Sequence, residues 1–279
     1  MKVASITVVT PCLDAAGLVS RTAESIMAQT AVRSGRLRLE YLVCDGGSRD
    51  GTLEAVRRIC GEAAEVHSER DGGMYEALAK GLRKATGDVV AYLNAGDVYS
   101  PAALDVVADV FEQTPAQWVT GIQVMYNEGG QVIDAVLPHR YRGRLIRSGV
   151  YGGRLLPRHV QQESTFWRRS MQEDLDYGAL AALKLAGDYY LWTRFARRAE
   201  LRLVQSCLGG FTYHAGQKSE AAEAYRREVA SFTKRPGPLD LLVAAGDGLA
   251  WHAAAIRSRV HHRRAIHYDR ATRRWTDER

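Results

Sequence analysis

An α/β fold with a mostly parallel central sheet and helices on both faces is what the first hundred residues predict. Two observations carry this expectation. Short β-branched or apolar runs recur at close intervals, and each is followed by a stretch whose apolar residues fall at helical spacing.

Taken in order, residues 4–10, ASITVVT, are the first strand, and Ala23, Ile26 and Met27 give residues 21–30 a helical face. LEYLVCD, residues 39–45, is the second strand. DGTLEAVRRIC, residues 50–60, opens on an Asp-Gly-Thr start signal and aligns Leu53, Val56 and Ile59. AEVHSE (64–69) is a short third strand, MYEALAKGLRKA (74–85) a helix stopped by Gly87, and VVAYLNA (89–95) a buried fourth strand. SPAALDVVADVFEQT (100–114) predicts a helix with Ser100 as its cap and Pro101 at its first position. Beyond residue 115 the pattern changes: two strand-like runs meet around NEGG (127–130), a hairpin signal. A basic, glycine-rich loop (139–154), a compact STFWRRSM (164–171), a helix around 186–199 and a strand near 201–205 follow. Pro236, Gly237 and Pro238 mark the boundary between a main domain, 1–235, and a basic helical extension, 236–279.

Composition bounds the chemistry. With 46% hydrophobic and 25% charged residues among 279, the chain is an ordinary globular one rather than a disordered one. Cys12, Cys44, Cys60 and Cys207 fall in no paired spacing and read as thiols of a reducing compartment. No cationic leader with an apolar block opens the sequence, so a cytoplasmic location is expected, with a peripheral place on the inner membrane face as its extension. The net charge of +6 is mostly a property of the tail, where residues 256–275 hold seven arginines against the single acid Asp269. Just before them LDLLVAAGDGLAWHAAAI (239–256) is apolar, yet Asp240, Asp247 and His252 interrupt it, which rules out a spanning helix. Two readings of this region stand: an interfacial helix with arginines reaching lipid phosphates, and a packed helix with a solvated basic end.

Ligands of open α/β sheets bind at the carboxyl ends of the strands. Strand one ends in Thr10 and Pro11, strand two in Asp45-Gly46-Gly47-Ser48, strand three in Glu69-Arg70-Asp71-Gly72-Gly73, and strand four in Asn94-Ala95-Gly96-Asp97. Three of these mouths carry a carboxylate next to glycine. Glycine lets backbone approach a ligand, and carboxylates take base edges, ribose hydroxyls or a metal; taken singly, each aspartate also suits a turn or cap. Neither a phosphate loop ending in Gly-Lys-Ser/Thr nor a Gly-x-Gly-x-x-Gly after the first strand is present, so P-loop kinases and dinucleotide dehydrogenases are poor readings. Acidic mouths without a phosphate loop fit a nucleotide held by base and ribose, with a divalent cation on its diphosphate.

SITVVTPCLD, YLVCDGGSRDGTLEAV, SERDGGMYEALAKGLRKATGDVVAYLNAGD, VQQESTFWRRS, LKLAGDYYLWTRF and LGGFTYHAGQKS, in this order over roughly residues 3–219, resemble the successive motifs of family 2 glycosyltransferases of the GT-A fold. The resemblance implies that Thr10 and Pro11 line the nucleotide pocket, that Asp45 binds the base edge, and that Asp71 contacts base and ribose. Asn94 and Gly96 stand in the nucleotide-binding Asp-x-Asp-type motif, whose last acid, Asp97, it makes a ligand of Mg2+ or Mn2+ together with His214. Asp188 matches the catalytic base. Gln161, Gln162 and Glu163 match the segment near donor sugar and acceptor, with Phe166 and Trp167 behind them as core; Arg70 and Lys218, the latter beside Gln217, are placed for donor contacts. For Asp188 a helix cap, and for His214 a structural histidine, remain as alternatives.

Two positions depart from the family's pattern. Asn94 and Gly96 stand where many relatives have acids, and Gly187 stands where a glutamate commonly precedes the base. The expectation is a weakly held cation that enters mainly with the nucleotide. The function expected is inverting transfer from a nucleoside-diphosphate sugar, UDP-linked, to a glycan or lipid-linked acceptor of a surface polysaccharide. The tail would meet an anionic membrane, and no nucleic-acid partner is expected. A catalytically weak nucleotide-binding scaffold is the second reading. A nucleotide-sugar pyrophosphorylase is a third, and TPCLDAAG lacks the glycine-rich, cationic loop that it needs.

Overall fold

The computed structural model describes residues 2–138, 140–154, 159–213, 222–253 and 265–277. Its first half follows the expected alternation. β1 (Ser5–Cys12) pairs in parallel with β2 (Arg38–Asp45) and β4 (Val89–Tyr92), and β2 pairs in parallel with β3 (Ala64–Ser68). The connections fold as α1 (Ala16–Met27), α2 (Thr30–Arg33), α3 (Thr52–Cys60) and α4 (Met74–Lys84). β1 reads as a continuous apolar run because both its faces are covered. Val9 packs in one core with Leu42, Leu78 and Leu82, whereas Ile6 and Val8 pack in the other with Val19, Ile26 and Val56.

The chain then builds a second, smaller sheet beside the first. β5 (Val98–Tyr99), a short strand directly before the expected helix start, pairs antiparallel with β11 (Gly209–Thr212). The helix itself, α5, therefore begins later than its sequence signal, at Ala103–Gln113, and Ser100 does not cap it. The Ser100 amide instead bonds the Leu208 carbonyl, and the Gln29 side chain accepts from the Leu104 amide. The apolar run before NEGG also divides. β6 (Trp118–Thr120) belongs to the large sheet, while β7 (Gln123–Tyr126) and β8 (Val132–Val136) form the expected hairpin in the small one. The order of the small sheet is β5-β11-β7-β8.

The remaining described elements are α6 (Gly143–Arg147), β9 (Thr165–Arg168), α7 (Tyr177–Ala181), α8 (Gly187–Arg198), β10 (Arg202–Val204), α9 (Ala222–Phe232), α10 (Pro238–His252), β12 (Ala265–Asp269) and β13 (Arg274–Thr276). β9 runs antiparallel between β4 and β6. Trp167 on β9 packs edge-on against Trp192 of α8, with centroids 6.0 Å apart, and Trp192 stacks on Trp118 at 5.8 Å. These rings fix α8 against the sheet and hence the place of its first turn.

The C-terminal region differs from the expected helical extension. Residues 238–252 are helical, but β12 pairs in parallel with β10 and β13 turns back on β12, which makes the edge order β13-β12-β10-β6-β9-β4-β1-β2-β3. The arginines had suggested a solvated end; the signal they obscured is the alternation Ile266, Tyr268 and Trp275 around a turn. Trp275 is buried and its amide donates to Gln113 Oε1 of α5 at 2.7 Å, and Asp277 pairs with Arg202. Trp275→Ala should lower global stability by about 3 kcal/mol in urea unfolding; a change of only a few tenths would mean that this strand pair is detachable.

Candidate functional site

The end of β2 turns on its own carboxylate. Asp45 accepts from the Gly47 and Ser48 amides at 3.1 Å each, from Ser68 Oγ at 2.6 Å and from Ser48 Oγ. Burial works to raise its pKa, but these hydrogen bonds outweigh it and hold the group below the ordinary aspartate range. The turn role left open by the sequence is thus realised, whatever Asp45 does for a ligand. Asp71 stands against it: a methyl group at position 46 would lie 3.1 Å from Asp71 Oδ2, and Asp71 Oδ1 accepts from the Gly73 amide at 2.8 Å. Asp45, Ser68, Asp71, Lys80 and Lys84 line a cavity of ≈ 400 Å³ here. Arg70 is exposed, with its Cγ beside Gly47. Thr10 and Pro11 are buried below, and Thr10 presents its side chain to Tyr41 in the core rather than to the opening.

The end of β4 is built around buried polar groups. Gln162 donates to the Tyr92 carbonyl, so its Oε1 faces Asn94 Nδ2 at 3.1 Å and Asn94 Oδ1 turns away, buried and without a hydrogen-bond partner among the described residues. Gly96 has φ +105°, which a side chain rarely adopts, so an acid at this position would strain the backbone. Thr22 of α1 holds this loop, taking the Gly96 amide and giving to the Asp97 carbonyl at 2.8 Å each. Asp97 points inward at 5% exposure and its Oδ1 accepts from the Thr212 amide at 2.9 Å. Beside it lies Glu163, equally buried. Burial first, and the neighbouring acid second, push Asp97 well above the carboxylate range; burial pushes Glu163 up to about 7. The two carboxyls share a proton as one unit.

Asp188 lies in the first turn of α8, and burial pushes its carboxyl up to about 6 against the pull of the Tyr189 amide and the Tyr225 hydroxyl. Tyr225 Oη donates to both of its oxygens, at 3.2 and 3.3 Å. The loop leading into α8 is tied twice. Glu228 accepts from the Lys184, Leu185 and Ala186 amides at 2.8, 2.7 and 2.6 Å, an external cap for otherwise unpaired donors. Lys184 Nζ donates to the Gly72 carbonyl at 2.7 Å and Tyr75 Oη to the Leu185 carbonyl at 2.9 Å, which joins the Asp188 loop to the Asp71 turn. The tyrosine ring also explains Gly187: a Cβ there would lie 2.3 Å from Tyr75 Cδ1. The space that a side chain at position 187 would need is occupied by an aromatic ring of α4.

The structure therefore brings Asp45 to Asp71, Asn94 to Gln162, Asp97 to Glu163, and the Asp71 turn to the Asp188 loop. Phe166 and Trp167 are core, as expected. His214, Gln217 and Lys218 lie outside the described residues. Tyr75, Tyr225 and Glu228 were not singled out by sequence, because each acts across a gap of more than 35 positions and sits in an ordinary helical pattern.

Residues 7–173, more than half of the chain, match the family described as Glycosyl transferase family 2. The chain belongs to this family. A curated relative, a PGL/p-HBAD biosynthesis glycosyltransferase of Mycobacterium bovis, is 31% identical over 123 residues, which are 42% of this chain and 46% of the relative. The matched stretch spans 34% to 46% of the length of the curated mycobacterial relatives. Among solved structures, S. aureus TarS 1–349 in complex with UDP-GlcNAc superposes with a TM-score of 0.58 at 16% identity, over 93% of this chain and 69% of that one. A mannosyltransferase of Pyrobaculum calidifontis in complex with GDP-Man and Mn2+ gives 0.56 at 20%, over 92% and 73%. The GT-A fold expected from the motifs is the fold that these likenesses show.

Within this family 2 glycosyltransferase, the residues present suit a weakly held hard cation. Asn94 Oδ1 is an unused buried oxygen donor, and the Asp97–Glu163 pair holds a proton that a cation would replace. No three His, Cys, Asp or Glu of the described residues converge to complete a shell. The acid pair has a consequence of its own. Because Glu163 is more basic folded than unfolded, it adds stability at low pH that is lost as pH rises from the ordinary glutamate value of 4.5 through about 7. Thermal midpoints of the metal-free protein should fall across that window, and Glu163→Gln should flatten the slope; an equal slope in the variant would count against a shared proton.

Proposed function

We propose that the chain transfers a glycosyl group from a nucleoside-diphosphate sugar, UDP-linked, to a hydroxyl of a glycan or lipid-linked acceptor, with inversion at the anomeric carbon. The observation that carries this reading is Asp188, a single carboxyl raised to about 6 and held by Tyr225 on a loop fastened to the Asp71 turn. This position supports Asp188 as the base, on a loop joined to the turn proposed for the nucleotide.

The chemistry follows from that placement. The acceptor oxygen attacks the anomeric carbon, the bond from that carbon to the diphosphate oxygen breaks with its electron pair leaving on the nucleoside diphosphate, and Asp188 takes the hydroxyl proton. One displacement needs no enzyme nucleophile. A base of pKa near 6 is ionised at neutral pH yet stronger than an exposed aspartate. The Tyr225 hydrogen bond lowers its pKa, and Tyr75 fills the space that a side chain at Gly187 would need. On the donor side Asp71 is assigned to ribose and base, Asp45 to the base edge through its braced turn, and Arg70, Gln162 and Lys218 to donor and acceptor groups. Asn94, Asp97 and His214 are assigned to a Mg2+ or Mn2+ ion carried in with the diphosphate, which when bound neutralises charge on the leaving group. The mannosyltransferase complex with GDP-Man and Mn2+ and the TarS complex with UDP-GlcNAc support a nucleotide sugar as the donor class.

The deciding experiment measures transfer or hydrolysis across UDP-, GDP- and dTDP-sugars, with and without Mn2+, for the native protein and Asp188→Asn. The variant should lose about 10³-fold or more in kcat while donor affinity stays within about twofold. Equal turnover in the variant would point to another base, and no response to any nucleotide sugar would sink the reading.

Tyr225→Phe gives a second, finer outcome. The native rate should rise with pH through about 6 as Asp188 ionises. Loss of the tyrosine hydrogen bond, which lowers that pKa, should move the acid limb to higher pH. A limb that stays in place would show that Tyr225 does not act on the base.

A further inference from the structure

The polarity of α10 is reversed for a helix on a water-soluble protein. Its acids face inward: Asp240 and Asp247 are buried, Asp247 is gripped by Arg142 through Nε at 2.5 Å and Nη2 at 2.7 Å, and Asp240 is paired with Arg144. Ala244 packs on the same side. The opposite face exposes Leu239, Leu241, Leu242, Ala245, Gly246 and Leu249, with Leu242 at 70% and Leu249 at 75% exposure. Between residues 238 and 250 no charged side chain reaches solvent. A surface helix ordinarily does the opposite, and an apolar face of this size marks a contact.

Charge identifies the contact. Exposed Lys234 and Arg235 stand just before the helix, and the sequence after it carries seven arginines with one acid through residue 275. Leucines flanked by cations match the two layers of an anionic membrane surface, acyl chains beneath and headgroup phosphates above. The helix has 15 residues, and no helix among the described residues is long and apolar enough to cross a membrane. We propose that α10 lies in the plane of an anionic bilayer, leucine face down, with the Arg142–Asp247 and Arg144–Asp240 pairs as the fastening that keeps its acids out of the lipid. The surface would hold the cleft beside lipid-linked substrates, but the docking itself does not depend on the glycosyl-transfer reading.

Flotation with phosphatidylcholine vesicles, with and without about 30% phosphatidylglycerol, tests this without any donor. The native protein should float with the anionic vesicles only and be released by about 0.5 M salt, where screening is short-ranged. Leu242→Glu combined with Leu249→Glu should reduce binding at least about tenfold, while Val132→Glu, at an exposed apolar position on β8, should not change it. Thermal midpoints of the variants, expected to match the native one, separate a docking effect from misfolding. The proposal is overturned if the native protein stays at the bottom with anionic vesicles, or if the double variant floats like the native. It is equally overturned if light scattering shows a native dimer that the double variant dissolves, since the face would then belong to a second copy.

Discussion

Gln161, Gln162, Glu163 and Ser164 are consecutive, polar and buried, and the meeting of the two sheets depends on them. Gln161 completes the edge of β7, accepting from the Val124 amide at 3.0 Å and donating to its carbonyl at 2.8 Å. Gln162 reaches the end of β4, Ser164 donates to the Gly209 carbonyl of β11 at 2.8 Å, and Glu163 meets Asp97. A buried polar group left unpaired costs about 1–3 kcal/mol, so a keystone of this kind is stable only when all its partners are present. Its tolerance for change is correspondingly low: the backbone of Glu163 passes so near Gly209 that a Cβ there would stand 2.1 Å from its carbonyl oxygen.

This arrangement places the acids of the cleft in two different roles. Asp45 is enclosed and receives donors from Gly47, Ser48 and Ser68, so it braces the turn at the opening. Asp188 receives fewer donors, the Tyr189 amide and the Tyr225 hydroxyl, and burial outweighs them, so it retains capacity for a proton. Opposite pKa directions follow from the number of donors each carboxylate receives against its desolvation, Asp45 down and Asp188 up.

Much of this was legible in the sequence wherever a local signal matched a tertiary need. The parallel strands β1 to β4 are apolar because both faces are covered, and their ends carry the aspartates that the structure gathers. What was not legible depended on distant partners. Ser100 and Pro101 advertise a helix start, but the pairing of Val98 and Tyr99 with β11 carries on into Ser100, whose amide bonds the Leu208 carbonyl, and a glutamine more than seventy positions earlier accepts from the first turn. Asp97 looked free to face the opening, yet the Thr212 amide and Glu163 turn it inward. Gly187 looked like a missing acid; only the packing of Tyr75 shows that no side chain fits there.

The fastening of the α8 loop by Glu228 bears on how this protein can be re-engineered. One carboxylate on α9 satisfies three amides directly before α8, and Tyr225, the partner of Asp188, sits one turn away on the same helix. A chimera that takes α9 from a relative without Tyr225 and Glu228 would leave those amides unpaired and Asp188 without its hydroxyl partner, even if every cleft residue were preserved. The Lys184–Ala186 loop, α8 and α9 therefore form one structural unit, and crossover points that separate them should be avoided.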